Sequence, residues 1–118
     1  MFKENCKVTI SSSNNIDKNT YLINHDINKK IIFYTEKDKT ITTYNYKDNV
    51  LIRDNEKMHL QYNFKINEKT TNIINIKELN NTFTIELFTK SIYKDSNKLK
   101  IVYTIDDTDF TYEIKKEN

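Results

Sequence analysis

The chain has 118 residues, of which 19 are basic and 17 are acidic, and it contains no alanine, glycine, proline or tryptophan. This length fits a single domain spanning residues 1–118. The absence of glycine excludes phosphate-binding loops and the nucleophile elbow, which need glycine where the backbone turns sharply. Because the missing residues have GC-rich codons, the composition reflects an AT-rich genome more than a function.

Charge and terminal sequence argue against nucleic acid and membrane partners. The net charge is only +2 with both signs interspersed, and Arg53 is the only arginine, so the groups that read bases and phosphates are scarce. Residues 1–5 lack the apolar run of a signal peptide, and no apolar stretch approaches the roughly 20 residues that cross a bilayer. Cys6 stands alone and cannot form an internal disulfide, so we expect a cytoplasmic protein.

Apolar and polar residues alternate along most of the chain, which is typical of half-buried strands. The clearest example is residues 58–65, which read Met, His, Leu, Gln, Tyr, Asn, Phe, Lys. No window sustains a helical period. In chain order the pattern predicts strands at residues 6–12, 21–25, 31–35, 40–46, 50–53, 58–65, 72–76, 82–87, 98–105 and 110–114.

Asn and Asp residues separate the predicted strands. Their side chains tolerate the left-handed backbone region and bond to the neighbouring backbone, so they replace glycine and proline in turns. Short connections favour antiparallel neighbours, and closing the sheet removes its exposed edges. We therefore predict an all-β fold, an antiparallel up-and-down meander closing into a β-barrel of about 8 to 10 strands, and prefer it to a sandwich.

A predicted hairpin turn at residues 54–55 leads to a candidate ligand site. This turn would place Arg53 opposite Glu56, and both would face the barrel interior if Tyr62 does. A guanidinium at the barrel mouth can bind a carboxylate or phosphate, with tyrosine hydroxyls as further partners. The candidate ligand-binding residues are therefore Arg53, Glu56, Tyr62 and Tyr103. The alternative is an ion pair at the rim that has no function.

No catalytic or metal-binding constellation is visible in the sequence. His25 and His59 are far apart, and neither has a second ligand at metal spacing. A zinc site would require one of these histidines to converge with Cys6 or a carboxylate, which the spacing does not predict. No nucleophile, base and orienting group stand in a recognisable arrangement. We expect a protein that is not an enzyme and that has no cofactor or metal.

Four segments resemble a known bacterial family. They are residues 49–53, which end in Arg53, residues 58–64 with Met58 and Phe64, residues 83–90, and residues 98–103, which end in Tyr103. The pattern is similar to the uncharacterised YwiB-like family of low-GC bacteria. This resemblance implies a calycin-like (lipocalin-like) β-barrel and no established activity. Residues 76–81 depart from the family pattern, because they lack its Gly and Pro residues.

Two functions remain open from the sequence. The first is a barrel that binds a small, partly apolar ligand in its interior or mouth. The second is an interaction module that holds a protein or RNA partner through an exposed strand edge or an outer apolar surface. The sequence leaves the oligomeric state open. The outer surface would consist of the apolar residues that alternation places outside, namely Ile32, Val50, Ile52, Phe88 and Val102.

Overall fold

The computed structural model describes residues 2–117, and these form ten strands and one short 3₁₀ helix. Their bounds are β1 Phe2–Ser12, β2 Asn15–Asp26, β3 Ile31–Thr35, β4 Ile41–Asn45, β5 Val50–Asp54, β6 Met58–Asn63, β7 Lys69–Ile76, the 3₁₀ helix Lys77–Leu79, β8 Asn81–Lys94, β9 Lys98–Ile105 and β10 Thr108–Lys116. The helical part of residues 2–117 is neither long nor apolar enough to cross a membrane.

Every strand pairs antiparallel with the next one along the chain, and β1 pairs with β10 to close the barrel. In that closing pair, Val8 lies opposite Ile114 and Ile10 lies opposite Tyr112. The predicted all-β, up-and-down, closed architecture is therefore confirmed, with ten strands within residues 2–117. Closure satisfies the backbone groups that a flat sheet of this size would leave at its edges.

Turns are built without glycine, as the sequence predicts. Within residues 2–117, seven residues have positive φ angles between 48° and 69°, a region that costs energy for most side chains. Asn and Asp supply five of them because their short polar side chains tolerate this region. The two lysines were not predicted. The seven residues are Lys30, Lys39, Asn49, Asn67, Asn80, Asp106 and Asp107.

Alternation along the strands sends large apolar side chains into the barrel. Ile23, Leu87 and Ile101 are completely buried, and so is Tyr44. Each large apolar side chain that is removed from water stabilises the fold by about 1.5 to 3 kcal/mol. Cys6 lies in the same core, as expected for a small buried residue.

A β-bulge in β8 reverses its alternation. Thr89 pairs with Tyr103 of β9, but the next pair joins Ser91 to Val102, so Lys90 is an extra residue. An extra residue shifts every following side chain to the other face of the strand. Lys94 therefore points into the barrel mouth, although the pattern of residues 82–87 would have placed it outside.

The hairpin between β5 and β6 has a different register from the predicted one. Arg53 lies opposite Leu60, because residues 55–57 form a loop in which the Asn55 side chain accepts hydrogen bonds from the amides of Lys57 and Met58. The register shifts by four residues, and an even shift keeps each side chain on its face. The inward direction of Arg53 was thus predicted correctly, whereas its pairing with Glu56 was wrong.

Ile32 was also assigned to the wrong face. It pairs with His25 of β2 and Tyr44 of β4 and is buried in the core. The sequence of β3 is apolar at three consecutive positions, so alternation could not define its inner face.

The barrel has two ends. The Arg53 end carries the loops that follow the odd-numbered strands, including residues 36–40 and 55–57. The His25 end carries the loops that follow β2, β4, β6 and β8, together with Phe2 and Glu117 near the chain termini. Each end holds its own group of inward-facing polar side chains.

Candidate functional site

At the Arg53 end, the guanidinium is already engaged by a carboxylate of the same chain. Arg53 donates from Nη2 to Oε1 of Glu36 at 2.8 Å and from Nε to Oε2 at 3.1 Å. Glu36, in the loop after β3, is 92% buried, since only 8% of its surface is exposed, and Thr42 donates to it as well. Burial opposes the charge of Arg53, but the hydrogen bonds and charge of Glu36 outweigh it and raise the pKa of the guanidinium.

Glu56 does not belong to this group. It lies exposed in the loop between β5 and β6, so the acidic partner of Arg53 is Glu36 instead. The difference arises from the longer loop, which takes Glu56 out of the strand. Glu36 could not be found by pairing neighbours along β5 and β6, because it comes from the loop after β3.

The other two predicted site residues, Tyr62 and Tyr103, lie inside the barrel and pack on aromatic rings. Their ring centroids are 5.9 Å apart in an edge-on arrangement. Tyr103 also contacts Phe64 at 5.2 Å and stacks on Phe110 at 5.5 Å. Such pairs stabilise a core beyond the area that they bury. These ring contacts give Tyr62 and Tyr103 aromatic partners within the barrel, and neither residue is among those that line the pocket at the His25 end.

A pair of tyrosines closes the polar network of the interior. The hydroxyl groups of Tyr34 and Tyr112 are hydrogen-bonded at 2.7 Å, and both side chains are 1% exposed. Burial raises the pKa of each phenol. Polar groups that satisfy one another in this way stabilise a unique core and leave nothing free for a ligand.

The His25 end holds a pocket of about 280 Å³. Its floor consists of apolar core residues, including Ile32, Leu99 and Ile114, and Phe2 lies at its rim. Three lysines surround it, namely Lys94, Lys98 and Lys116. An apolar concavity with a few convergent polar groups is the usual form of a small-molecule site.

Lys94 is the lysine that the β8 bulge turns inward. Its Nζ atom lies 3.5 Å from the centroid of the Tyr46 ring, which is a cation–π contact. Burial and the charge of Lys30 lower the pKa of its ammonium group. None of the ion pairs within residues 2–117 includes Lys94. The lining of the pocket therefore carries an exposed positive charge that has no carboxylate partner within residues 2–117.

The same pocket contains a carboxylate, a thiol and an imidazole. Glu4 and Cys6 point inward from β1 and His25 points inward from β2, with one donor atom of each within 4.8 Å of the others. Nε2 of His25 lies 2.7 Å from Oε1 of Glu4. Burial raises the pKa of the Cys6 thiol to about 11, and burial also lowers the pKa of His25 against the opposing charge of Glu4.

Two neighbours hold these side chains. Phe2, directly opposite His25 across the strands, stacks on the imidazole ring with centroids 4.4 Å apart. Lys116 places its Nζ atom 3.6 Å from the second carboxylate oxygen of Glu4. Phe2 thus fixes the plane of the imidazole, and Lys116 contacts the carboxylate oxygen of Glu4 that does not face His25.

Sequence reasoning missed most of this pocket. The convergence of His25 with Cys6 and a carboxylate was not predicted, because it depends on the pairing of β1 with β2. Even so, His25 shares the inward parity of Ile23, and Glu4 shares that of Cys6. The inward direction of Lys94 could have been predicted, because the apolar residues of this segment change from odd positions at Leu87 to an even position at Ile92.

Comparison with known proteins gives a structural match and no sequence match. Neither the known protein families nor the curated proteins contain a match to this chain. The crystal structure of the YwiB protein from Bacillus subtilis, however, superposes on 97% of this chain and 89% of its own, with a TM-score of 0.59 and 16% sequence identity. The two chains share a fold. At this identity the likeness concerns the fold alone.

Proposed function

We propose that this protein is a non-enzymatic barrel that binds a small, partly apolar anion in the pocket at its His25 end. The observation that carries the proposal is Lys94, an exposed lysine on the lining of the pocket whose ammonium group has no carboxylate partner within residues 2–117. A carboxylate or phosphate group would supply that partner through charge-assisted hydrogen bonds. The apolar part of the ligand would cover Leu99 and Ile114.

The size of the pocket limits the ligand. If each non-hydrogen atom takes about the 30 Å³ that a water molecule occupies, then 280 Å³ holds on the order of ten such atoms. This volume is at the lower limit of typical ligand pockets. A medium-chain carboxylic acid of about eight carbon atoms, or a comparable organic anion, fits these dimensions.

The Arg53 end is a weaker candidate for the same function. Arg53 directs Nε and Nη2 to Glu36, and an incoming anion would have to displace that buried carboxylate. Displacement would leave Glu36 buried without its partner, which costs several kcal/mol. The ligand site proposed from the sequence therefore moves from Arg53, Tyr62 and Tyr103 to the opposite end of the barrel.

We further propose that the chain belongs to the YwiB-like family of calycin-like barrels and acts in the cytoplasm. The shared fold with YwiB supports the first part. The four segments that resemble the family, among them residues 49–53 and 98–103, support it independently. For the second part, the support is the single cysteine, which is buried and free and fits a reducing compartment.

Calorimetric titration of the full chain with octanoate tests the proposed ligand class. We expect binding to the natural chain and a loss of about tenfold or more in affinity in Lys94→Met, because a hydrogen bond to a charged group contributes about 1.5 to 3 kcal/mol. Lys100→Met is the matched control, since Lys100 points outward from β9 and should leave the affinity unchanged. Octylamine, which has the opposite charge, should not bind. Absence of octanoate binding, or equal binding by Lys94→Met, would contradict the proposal.

An interaction module remains the second candidate, now through a strand edge. β2 pairs with β1 along Asn15–His25 but with β3 only at Asn24, His25 and Asp26. The outer apolar surface is less favourable, because Ile32 is internal. The remaining four members are separated by β6 and β7 into Val50 and Ile52 on β5 and Phe88 and Val102 on β8 and β9.

Native mass spectrometry of the protein purified from its own host discriminates between the two candidates. A mass increment of a small organic molecule supports ligand binding. A co-purifying protein or RNA supports the interaction module, and substitution of the β2 edge residue Asp17 by Pro should then abolish that complex.

A further inference from the structure

The three donor groups at the His25 end have the strand geometry of a metal site. Glu4 and Cys6 are two residues apart on β1, so their side chains lie on the same face. His25 comes from the neighbouring strand β2, where it lies diagonally across from Glu4. A site built from positions i and i+2 of one strand and one position of the next needs no loop, so its geometry is as rigid as the barrel wall.

Two atoms of this group are shielded from solvent and face each other. Oε1 of Glu4 and Nε2 of His25 each have almost no contact with solvent, and their close polar contact within residues 2–117 is with one another, at 2.7 Å and outside good hydrogen-bond geometry. They point at the same space on the wall of the pocket. A cation bound in this space would take both atoms as ligands in place of that contact.

We infer that Glu4, Cys6 and His25 form a binding site for a divalent metal ion of the zinc class. A thiolate, an imidazole and a carboxylate together favour Zn²⁺ or Co²⁺ over the hard ions Mg²⁺ and Ca²⁺, which prefer oxygen ligands. Three protein ligands leave the fourth tetrahedral position open, and all three of these side chains line the pocket. Exchangeable ligands bind zinc at such open positions.

The distances suit this assignment. Ligand atoms of zinc lie about 2.0 to 2.3 Å from the metal, so at tetrahedral angles they are about 3.5 Å from one another. The three donor atoms are already within 4.8 Å, and the shortest separation is the 2.7 Å between Glu4 and His25. Metal binding would therefore widen the Glu4–His25 separation and shorten any longer one.

Phe2 and Lys116 orient the proposed ligands, as residues just outside the coordination sphere do in known metal sites. Phe2 stacks on the imidazole of His25 and holds the plane of the ring. Lys116 binds the other oxygen of Glu4, which leaves Oε1 for the metal. Outer partners of this kind orient metal ligands. The inference stands on these contacts and does not depend on the proposed anion binding, although an anion held by Lys94 could occupy the open position.

Titration of the tag-free, metal-stripped full chain with Co²⁺ tests the site. We expect one equivalent of Co²⁺ to produce a thiolate-to-metal charge-transfer band together with the visible bands of a tetrahedral ion. Zn²⁺ should then displace the cobalt and remove both. Cys6→Ser should abolish the charge-transfer band, and Glu4→Gln and His25→Gln should each weaken Co²⁺ binding by at least about tenfold, the smallest loss typical of even an outer partner.

Two matched variants separate the site from surface binding. His59→Gln removes the other histidine, which pairs with Asp54 outside the barrel, and Glu113→Gln removes an outward carboxylate of β10. Both should bind Co²⁺ like the natural chain. Because Cys6 is buried, the Cys6→Ser variant is checked for folding by circular dichroism, as is every other variant. If Cys6→Ser is unfolded, Glu4→Gln and His25→Gln provide the test.

The outcomes are unambiguous. A folded natural chain that shows no charge-transfer band overturns the inference, as do unchanged affinities in both Glu4→Gln and His25→Gln. Octanoate titration of the metal-stripped chain is scored separately. Cobalt binding without octanoate binding therefore contradicts only the proposed function, and octanoate binding without cobalt binding contradicts only the metal site.

Discussion

The two ends of the barrel use similar chemical groups for opposite purposes. At the Arg53 end, a guanidinium and a buried carboxylate satisfy each other, and the hydroxyl groups of two buried tyrosines are hydrogen-bonded to one another. At the His25 end, a half-buried carboxylate and imidazole face each other at 2.7 Å in the lining of a pocket, and Lys94 has no acidic partner within residues 2–117. Polar groups that are paired with one another stabilise the fold, whereas unpaired polar groups beside a cavity indicate a candidate binding site.

Removal of Glu36 should have the largest effect on stability. Glu36→Leu leaves Arg53 partly buried without a counter-charge, and we expect a loss of about 3 kcal/mol, at the lower limit for such a pair because Arg53 is 23% exposed. Urea denaturation measures this loss. The double variant Arg53→Met with Glu36→Leu should recover most of it, and a double variant as unstable as the single one would contradict the account.

Alkaline pH should destabilise the folded protein through the buried phenols of Tyr34 and Tyr112. Burial raises the pKa values of Tyr34 and Tyr112 above the ordinary value of 10.0. The folded state therefore holds its phenolic protons more tightly than the unfolded state. The stability that this difference contributes is fully present below about pH 10 and is lost as pH rises towards the folded pKa values, by at most about 1.4 kcal/mol per tyrosine and pH unit.

The urea midpoint measured at several values from about pH 8 to about pH 11 follows this loss. A double variant, Tyr34→Phe with Tyr112→Phe, should show a shallower decline above about pH 10. Equal slopes in the two proteins would show that these tyrosines do not control the alkaline transition.

Removing one hydroxyl group from the Tyr34–Tyr112 pair should destabilise the protein less than Glu36→Leu does. Tyr34→Phe leaves the Tyr112 hydroxyl buried without its 2.7 Å partner, and we expect a loss of about 1 to 2 kcal/mol in urea denaturation. Removing both hydroxyls should cost less than twice that amount, because no polar group is then left unsatisfied. Tyr93→Phe, at an exposed tyrosine, is the control and should change stability by at most about 0.5 kcal/mol.

The smallest stability effect should come from the His25 end. Lys94→Met removes only a partly exposed cation–π contact with Tyr46, so we expect a loss of about 0.5 to 1 kcal/mol. The same change should abolish most anion binding. A loss of stability as large as that of Glu36→Leu would mean that Lys94 is structural, and the contrast between the two ends would then be wrong.

Prediction from the sequence succeeded where local rules decide the structure. Strict alternation in residues 58–65 and the Asn and Asp turns located ten strands, and an even register shift could not change the direction of Arg53. These local rules could not predict which residues the inward side chains contact, because the contacts join distant parts of the sequence. Glu36 reaches Arg53 from another loop, and His25 reaches Cys6 only because β1 pairs with β2. The inward direction of Lys94 depends on one extra residue in the β8 bulge, and a simple count of alternating positions does not anticipate that residue.

Nuclear magnetic resonance mapping of octanoate on the isotopically labelled chain tests the contrast between the two ends most directly. The account predicts that amide shifts change around Glu4, His25, Lys94 and Lys116 and stay constant around Glu36 and Arg53. Changes centred on Glu36 and Arg53, with the His25 end unaffected, would contradict it.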